Sequence, residues 1–244
     1  MRCLIFLLAQ PVFAGRTACQ GMQRAGSARM SSTLRPAAEG SLMLLDAGHI
    51  PASEAAALVP QITDLANWAY RGKHADADER AWTGERHLID GVRTSNEAVR
   101  AMLSSVQEVG PEQEMLILAV RPEDVPSTTR QRLVGTIHAK RTEVDGVDGC
   151  EFGFFAVDPD LQGEGIGSLL LSSAEHHASH TMGVAKAVLW VISVRSDLIS
   201  YYERRGYVRT EETAPFPPPS AGVGTAKRSD LEFVRLTKQL SPSS

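Results

Sequence analysis

The sequence predicts an α+β domain, a mixed and mostly antiparallel central sheet flanked by helices, with one crossover near its middle. Three observations carry that expectation: two helical periodicities come first, a block of β-branched and aromatic runs follows, and the C-terminal half alternates strand, helix, strand, helix, strand. With 244 residues and 43% hydrophobic side chains, the chain can fill one core. A single domain over residues 41–241 is therefore expected.

Leu42 to Leu45 reads as a short strand, and Pro51 with Ser53 opens a helix through Ala55, Leu58, Ile62, Leu65 and Trp68. The charged stretch Arg71 to Arg80 shows little periodicity and reads as a loop or irregular helix. Helical spacing returns over Asn96 to Val106 at Val99, Met102 and Leu103. Met115–Val120, Leu133–Ala139 and Glu151–Val157 are strands by composition. Asp145-Gly146 and Asp148-Gly149 mark a hairpin turn between the last two, which makes them antiparallel. A helix follows at Ile166, Leu169, Leu170, Ala174 and Ala178, then a strand at Ala187–Val194, a helix at Asp197–Arg205 and a final strand at Leu231–Leu236. The proline-rich stretch from Ala214 to Lys227 is an irregular insertion of the kind that is either functional or disordered.

Net charge is −4, yet residues 1–40 hold five arginines against one acid, Glu39. The remaining body is acidic, which gives no electrostatic case for nucleic acid or an anionic membrane. Residues 1–40 read as a targeting or disordered segment, with three origins open. An organellar transit peptide (mitochondrion or plastid), a secretory signal ending near Ala14 and Gly15, and translation beginning at Met30 in a cytoplasmic protein all fit the composition. Cys3, Cys19 and Cys150 are too few for a disulfide framework. No later window reaches the ~20 apolar residues of a membrane span.

The richest segment runs Val157-Asp158-Pro159-Asp160-Leu161-Gln162-Gly163-Glu164-Gly165-Ile166-Gly167-Ser168. A strand enters a proline turn, then glycines, then a helix. Glycines let a ligand approach the backbone, and the first N–H groups of the helix lack internal partners and lie at the positive end of its dipole. Such a junction suits a phosphate or pyrophosphate. A P-loop lysine is missing after Gly167, and G-x-G-x-x-G fails because its third glycine is Ser168 or Leu170.

Gln162-x-x-Gly165-x-Gly167 after Ala156-Val157-Asp158-Pro159 resembles the acetyl-CoA signature of the GNAT superfamily. Leu198-Ile199-Ser200-Tyr201-Tyr202-Glu203-Arg204-Arg205-Gly206-Tyr207 resembles its second hallmark, Tyr-Glu-x-x-Gly followed by an aromatic. The resemblance implies the GNAT fold and an acetyl-CoA-dependent N-acetyltransferase acting on a primary amine of a small molecule or peptide, with homodimer assembly open. It also implies that Phe155, Ala156, Val157, Gln162, Gly163, Glu164, Gly165, Ile166, Gly167 and Ser168 hold acetyl-CoA. By the same resemblance the Glu151–Val157 strand splays from its neighbour, bonds the pantetheine arm and offers an N–H to the thioester carbonyl, while Tyr202 protonates the departing sulfur. Glu151 is a candidate general base, because an alkylamine is only about one part in a thousand neutral at pH 7. Its alternative is an exposed strand end. A catalytically silent acetyl-CoA-binding sensor or scaffold of the same fold is the rival function.

Two positions depart from the family pattern, Arg195 and Leu198, where many relatives carry asparagine and alanine. A larger residue at these places narrows the cofactor tunnel, or Arg195 faces an acidic substrate group or a CoA phosphate; both readings stay open. His176, His177 and His180 lack the glutamate and third ligand of a zinc site, so no metal is implied. Trp68 to Gly72 and Trp82 to Glu85 are candidates to shape the amine pocket, with core packing the equal alternative.

Overall fold

A computed structural model describes residues 42–73, 84–125 and 128–240. Residues 1–41, with their targeting expectation, and most of the stretch after Arg71, including Trp82, lie outside the described residues. In chain order the elements are β1 (Met43–Asp46), α1 (Ala52–Arg71), β2 (Ile89–Asp90), α2 (Asn96–Val109), β3 (Glu114–Val125), β4 (Thr128–Val144), β5 (Val147–Val157), α3 (Ile166–His180), β6 (Lys186–Ile192), α4 (Ser196–Glu203), β7 (Val208–Pro215), β8 (Thr225–Ala226) and β9 (Glu232–Gln239). Seven strands make one sheet in the order β1-β3-β4-β5-β6-β9-β7, and β2 pairs with β8 apart from it. Every neighbouring pair in the large sheet is antiparallel except β5 with β6. The α+β expectation holds as a single domain with four flanking helices.

Alternation along the strands separates two apolar layers. Leu116, Leu118 and Phe154 face Val59, Ile62, Leu65 and Ala66 of α1 and Val99 and Leu103 of α2. Met115, Ile117, Val134, Ile137 and Phe152 point the other way, to Ile166, Leu170, Leu171, Ala174 and Ala178 of α3. The β4–β5 turn is made by Asp145 and Gly146, whose φ values of 53° and 76° fit a two-residue hairpin turn of the primed kind. Asp148 and Gly149, read as a second turn signal, lie inside β5. The Asp145 carboxylate accepts from Lys186 and Arg235, which ties the turn to β6 and β9.

β7 went unread because it is an edge strand whose residues are mostly exposed, so no apolar alternation marks it. The proline-rich segment after it is ordered: a short 3₁₀ turn at Pro219–Ala221, then β8, paired with β2.

Gly135 of β4 sits beneath α3. A Cβ there would lie 2.7 Å from Leu170 Cδ1 and 3.1 Å from Ile166 Cγ2. Gly135→Ala should therefore push α3 off the sheet and cost about 1–3 kcal/mol, measured by urea unfolding, with acetyl-CoA affinity falling as well because Ile166 opens the helix.

Candidate active site

The site begins with a failure of pairing. β5 and β6 run parallel but register only at Cys150 with Ala187 and Glu151 with Val188, although β5 continues to Val157 and β6 to Ile192. On the opposite edge of β5, Thr136 faces Ala156 and His138 faces Gly153, so Ile137 alone opposes Phe154 and Phe155. This is a β-bulge, and a bulged strand bends. Phe154 adopts φ 46°, a left-handed conformation costing on the order of 1–3 kcal/mol. Its ring is buried in the α1–α2 layer, which holds the strained residue in place. The Tyr70 hydroxyl donates to the Phe155 carbonyl at 3.0 Å and ties α1 to the bulge. Further on, the Asp158 N–H donates to the Val134 carbonyl at 2.9 Å, so alternation turns the polar groups of Val157 away from β4, toward the gap.

On the α3 face the gap opens into a cavity of about 540 Å³. Gly165 caps α3 with φ 82°, and no side chain caps the helix. Gly165, Ile166, Gly167 and Ser168 all border the cavity, with Phe155, Val157, Gln162 and Gly163. Two residues expected among them do not. Ala156 is buried in the opposite layer, because β5 alternates, and the Glu164 carboxylate accepts from Arg121 at 2.5 Å.

Tyr70, Tyr201 and Arg205, which were not among the residues expected to hold the cofactor, also border this cavity. The Arg205 guanidinium lies 3.5 Å from the centroid of the Tyr201 ring and donates to Ser168 Oγ at 2.6 Å. A cation is thereby fixed at the uncapped start of α3. Tyr202 is nearly buried at 7% exposure and borders the same cavity. Burial, reinforced by the Tyr70 and Tyr201 phenols, raises its pKa well above the usual tyrosine value, and the Arg205 and Arg195 charges oppose this only weakly. The phenol stays protonated.

Glu151 lies on the other face, in a cavity of about 220 Å³ beneath α2. Burial lifts its carboxyl to about 7, against the pull of Lys140 and a hydrogen bond from Trp190. The two candidate catalytic residues thus border different cavities. A third, narrow cavity of about 70 Å³ lies between them; it shares Tyr70, Leu198 and Tyr202 with the first and Arg93 and Val223 with the second, and Trp190 borders it.

The profile of the Acetyltransferase (GNAT) family matches residues 60–207. The chain belongs to the GNAT acetyltransferase family. Solved structures show the same fold: a GNAT-family acetyltransferase from Streptococcus pneumoniae has 15% identity and a TM-score of 0.53, covering 82% of this chain and 100% of its own. The yncA protein of Salmonella typhimurium, solved with acetyl-CoA, has 16% identity and a TM-score of 0.51, covering 83% and 96%. The NatC complex bound to Gag peptide and CoA has 15% identity and a TM-score of 0.52, covering 82% and 99%. Among curated proteins none matches the sequence.

GNAT proteins use acetyl-CoA, and the α3-face cavity fits it: a glycine-opened helix start, free of a side-chain cap, with Arg205 beside it. Arg195 departs from expectation. Its guanidinium is buried and engages Asp197 at 2.9 and 3.0 Å, with Gly84 carbonyl at 3.4 Å, which makes it a brace for the start of α4. Leu198, the other departure, borders the cofactor cavity. Cys150 is fully buried and its thiol is pushed far up by burial, so it stays unreactive. His176 and His180 stack at 3.9 Å, while His177 Nε2 donates to the Pro111 carbonyl at 2.6 Å.

A Cβ on Gly167 would meet Tyr201 Oη at 3.4 Å and the Phe155 ring at 3.5 Å, ordinary contacts that fill the cavity without strain. Gly167→Val should therefore lower CoA affinity at least about tenfold, or ~1.4 kcal/mol, with the thermal midpoint little changed; calorimetry with CoA reads the first and a melting curve the second.

Proposed function

We propose that this GNAT protein is an acetyl-CoA-dependent N-acetyltransferase that transfers the acetyl group directly to a primary amine of a small molecule or peptide. The observation that carries the reading is the two-sided opening between β5 and β6. A cofactor-sized cavity lies on one face, a smaller cavity bordered by Glu151, Lys140 and Arg93 on the other, and Tyr202 with Tyr70 lines the narrow space between.

Acetyl-CoA, when bound, supplies the thioester whose acetyl group forms the new amide and whose sulfur leaves as a thiol. The chain supplies position and protons. The N–H groups at the start of α3, with Arg205, hold the diphosphate, and the backbone of Val157 faces the gap to align the pantetheine arm. A backbone donor of the bulge polarises the thioester oxygen. Such a donor is worth roughly 3–4 kcal/mol where one has been removed. Glu151 takes the proton that the ammonium must lose before it can attack, because its carboxyl is lifted to about 7 and exchanges protons near neutrality. Tyr202, whose buried phenol holds its proton at any physiological pH, gives that proton to the sulfur, and the second proton shed by the attacking nitrogen as the amide forms restores the phenol.

The reading is tested by thiol release from acetyl-CoA over a panel of amines, amino acids and peptide N-termini. Tight CoA binding without thiol release from any acceptor would leave a binding protein instead. Tyr202→Phe should lower kcat by about 10²–10⁴ and leave the CoA dissociation constant within threefold; an unchanged kcat would remove Tyr202 from the reaction.

Glu151 adds a pH dependence with a definite sign. Its folded value of about 7 exceeds the ordinary 4.5, so between these values the folded state holds more protons than the unfolded one. The contribution to stability is complete below about pH 4.5 and is lost as pH rises to about 7. Glu151→Gln should thus equal the wild type in unfolding free energy near pH 4 and exceed it at pH 8. The same substitution should abolish a rise in kcat/KM centred near pH 7. A wild-type profile flat from pH 6 to 8 would exclude Glu151 as the base.

A further inference from the structure

The cavity beneath α2 holds one group that nothing in the chemistry above uses. Arg93 is only 5% exposed and borders both this cavity and the narrow one beside Tyr202. Its guanidinium sits 4.9 Å from the Tyr70 ring centroid and faces that phenol, but among the described residues no carboxylate pairs with it. Among the described residues the other buried arginine, Arg195, is matched with Asp197 at 2.9 Å, and the half-buried Arg71 and Arg235 are matched with Glu85 at 3.0 Å and with Glu212 at 2.7 Å and Asp145. Arg93 also repels Arg71 nearby, and the Glu85 carboxylate there is already bonded to Arg71. A buried charge left so is costly unless a partner of opposite sign arrives.

Two further features favour an anion at this place. Arg93 precedes the fourteen-residue helix α2, and Thr94, Ser95 and Ala98 border the same cavity, so the positive end of the helix lies beside the guanidinium. Glu97 in the first turn is exposed and takes up part of that field from outside. The segment is also fixed in place: Asn67 Oδ1 accepts from the N–H groups of Arg93 and Thr94 at 2.7 and 3.2 Å, and Asn67 Nδ2 donates to the Thr94 carbonyl at 3.2 Å. Opposite, Glu151 supplies a site for a cation on the sheet floor of the same cavity. Glu114 is already engaged by His138 at 2.8 Å, Ser105 at 2.7 Å and Lys140 at 3.4 Å, and so offers little to a ligand.

We infer that the cavity recognises its acceptor as an amino carboxylate, with the acceptor's carboxylate on Arg93 and the first turn of α2 and its amine on the Glu151 side. The inference rests on the acetyltransferase reading for its chemistry and on Arg93 for its specificity. The guanidinium can receive a carboxylate in two parallel N–H···O bonds. A phosphonate would satisfy the same donors, and the test separates the two.

The experiment uses the full chain with acetyl-CoA and matched acceptors: each proteinogenic amino acid beside its α-carboxamide, and β-alanine beside 2-aminoethylphosphonate. The expected result is a kcat/KM for the best free amino acid or for β-alanine at least tenfold above its uncharged or phosphonate counterpart. Arg93→Gln should then raise KM for that acceptor at least tenfold, leave its carboxamide unaffected and keep KM for acetyl-CoA within twofold. Thermal stabilisation by CoA reports that the variant is folded. Carboxylate and carboxamide used alike, a tenfold preference for the phosphonate, or a KM unmoved in the variant would each overturn the inference while leaving acetyl transfer intact. Should no amine release thiol, the acetyltransferase reading fails separately, and calorimetry of the same pairs on the CoA-loaded protein decides the carboxylate question: tighter binding of the acid supports it, equal or absent binding rejects it.

Discussion

Two residue pairs decide the architecture of the site. Because β5 and β6 bond only at Cys150–Ala187 and Glu151–Val188, a sheet that would otherwise wall one helical layer from the other has an opening. Such an opening carries an energetic penalty. Each backbone donor or acceptor that loses its ladder partner in a buried place costs about 1–3 kcal/mol unless something else bonds it. The Tyr70 hydroxyl does this for the Phe155 carbonyl, and the polar groups of Val157 are left for a ligand or water. Strain in Phe154, the bend of β5, and the placing of α1 against the bulge all follow from keeping that gap open.

The face of the sheet beneath α2 shows how burial is used twice to opposite ends. Register places Glu114 opposite Lys140 and Lys140 opposite Glu151, and period two brings His138 onto the same side. Burial would raise both carboxyls. Around Glu114 the hydrogen bond and charge of His138, then Ser105 and Lys140, outweigh it and hold the carboxyl down at about 2. Around Glu151 only Lys140 and Trp190 oppose it, and it rises to about 7. The difference in donor supply separates a permanent anion that organises the cavity from a carboxyl able to exchange a proton near neutrality.

What the sequence disclosed follows from how local the signal was. The strand-turn-glycine-helix segment and the tyrosine helix are contiguous, and eight of the ten residues expected at the cofactor border its cavity. Ala156 and Glu164 do not border it, for reasons a motif does not encode: one side chain points by alternation to the far layer, the other is engaged by Arg121 from another strand. Arg93 was invisible because its neighbours Val92 and Thr94 carry no pattern, and its meaning depends on Asn67, Tyr70 and Glu151, drawn from elements far apart in the chain. β7 was missed because an exposed edge strand has no alternation to read. The bulge at Phe154 was equally hidden, since a phenylalanine gives no hint of a left-handed backbone.

In the proposed reaction one proton must leave the ammonium before attack and another must reach the sulfur as it departs, and the fold keeps their carriers in separate cavities. Glu151 and Tyr202 are both shifted upward by the same cause, exclusion of water, yet the shift has different consequences for the two groups. A carboxyl moved up arrives near neutrality and becomes able to take and release a proton; a phenol moved up stays a donor that never ionises on its own. Burial on either side of the passage between β5 and β6 therefore suits the two groups to the roles proposed for them. Widening that passage to water would lower both values together. The carboxyl would then lose its basicity and the phenol part of its hold on the proton, so the opening has to be narrow for the same reason that it has to exist.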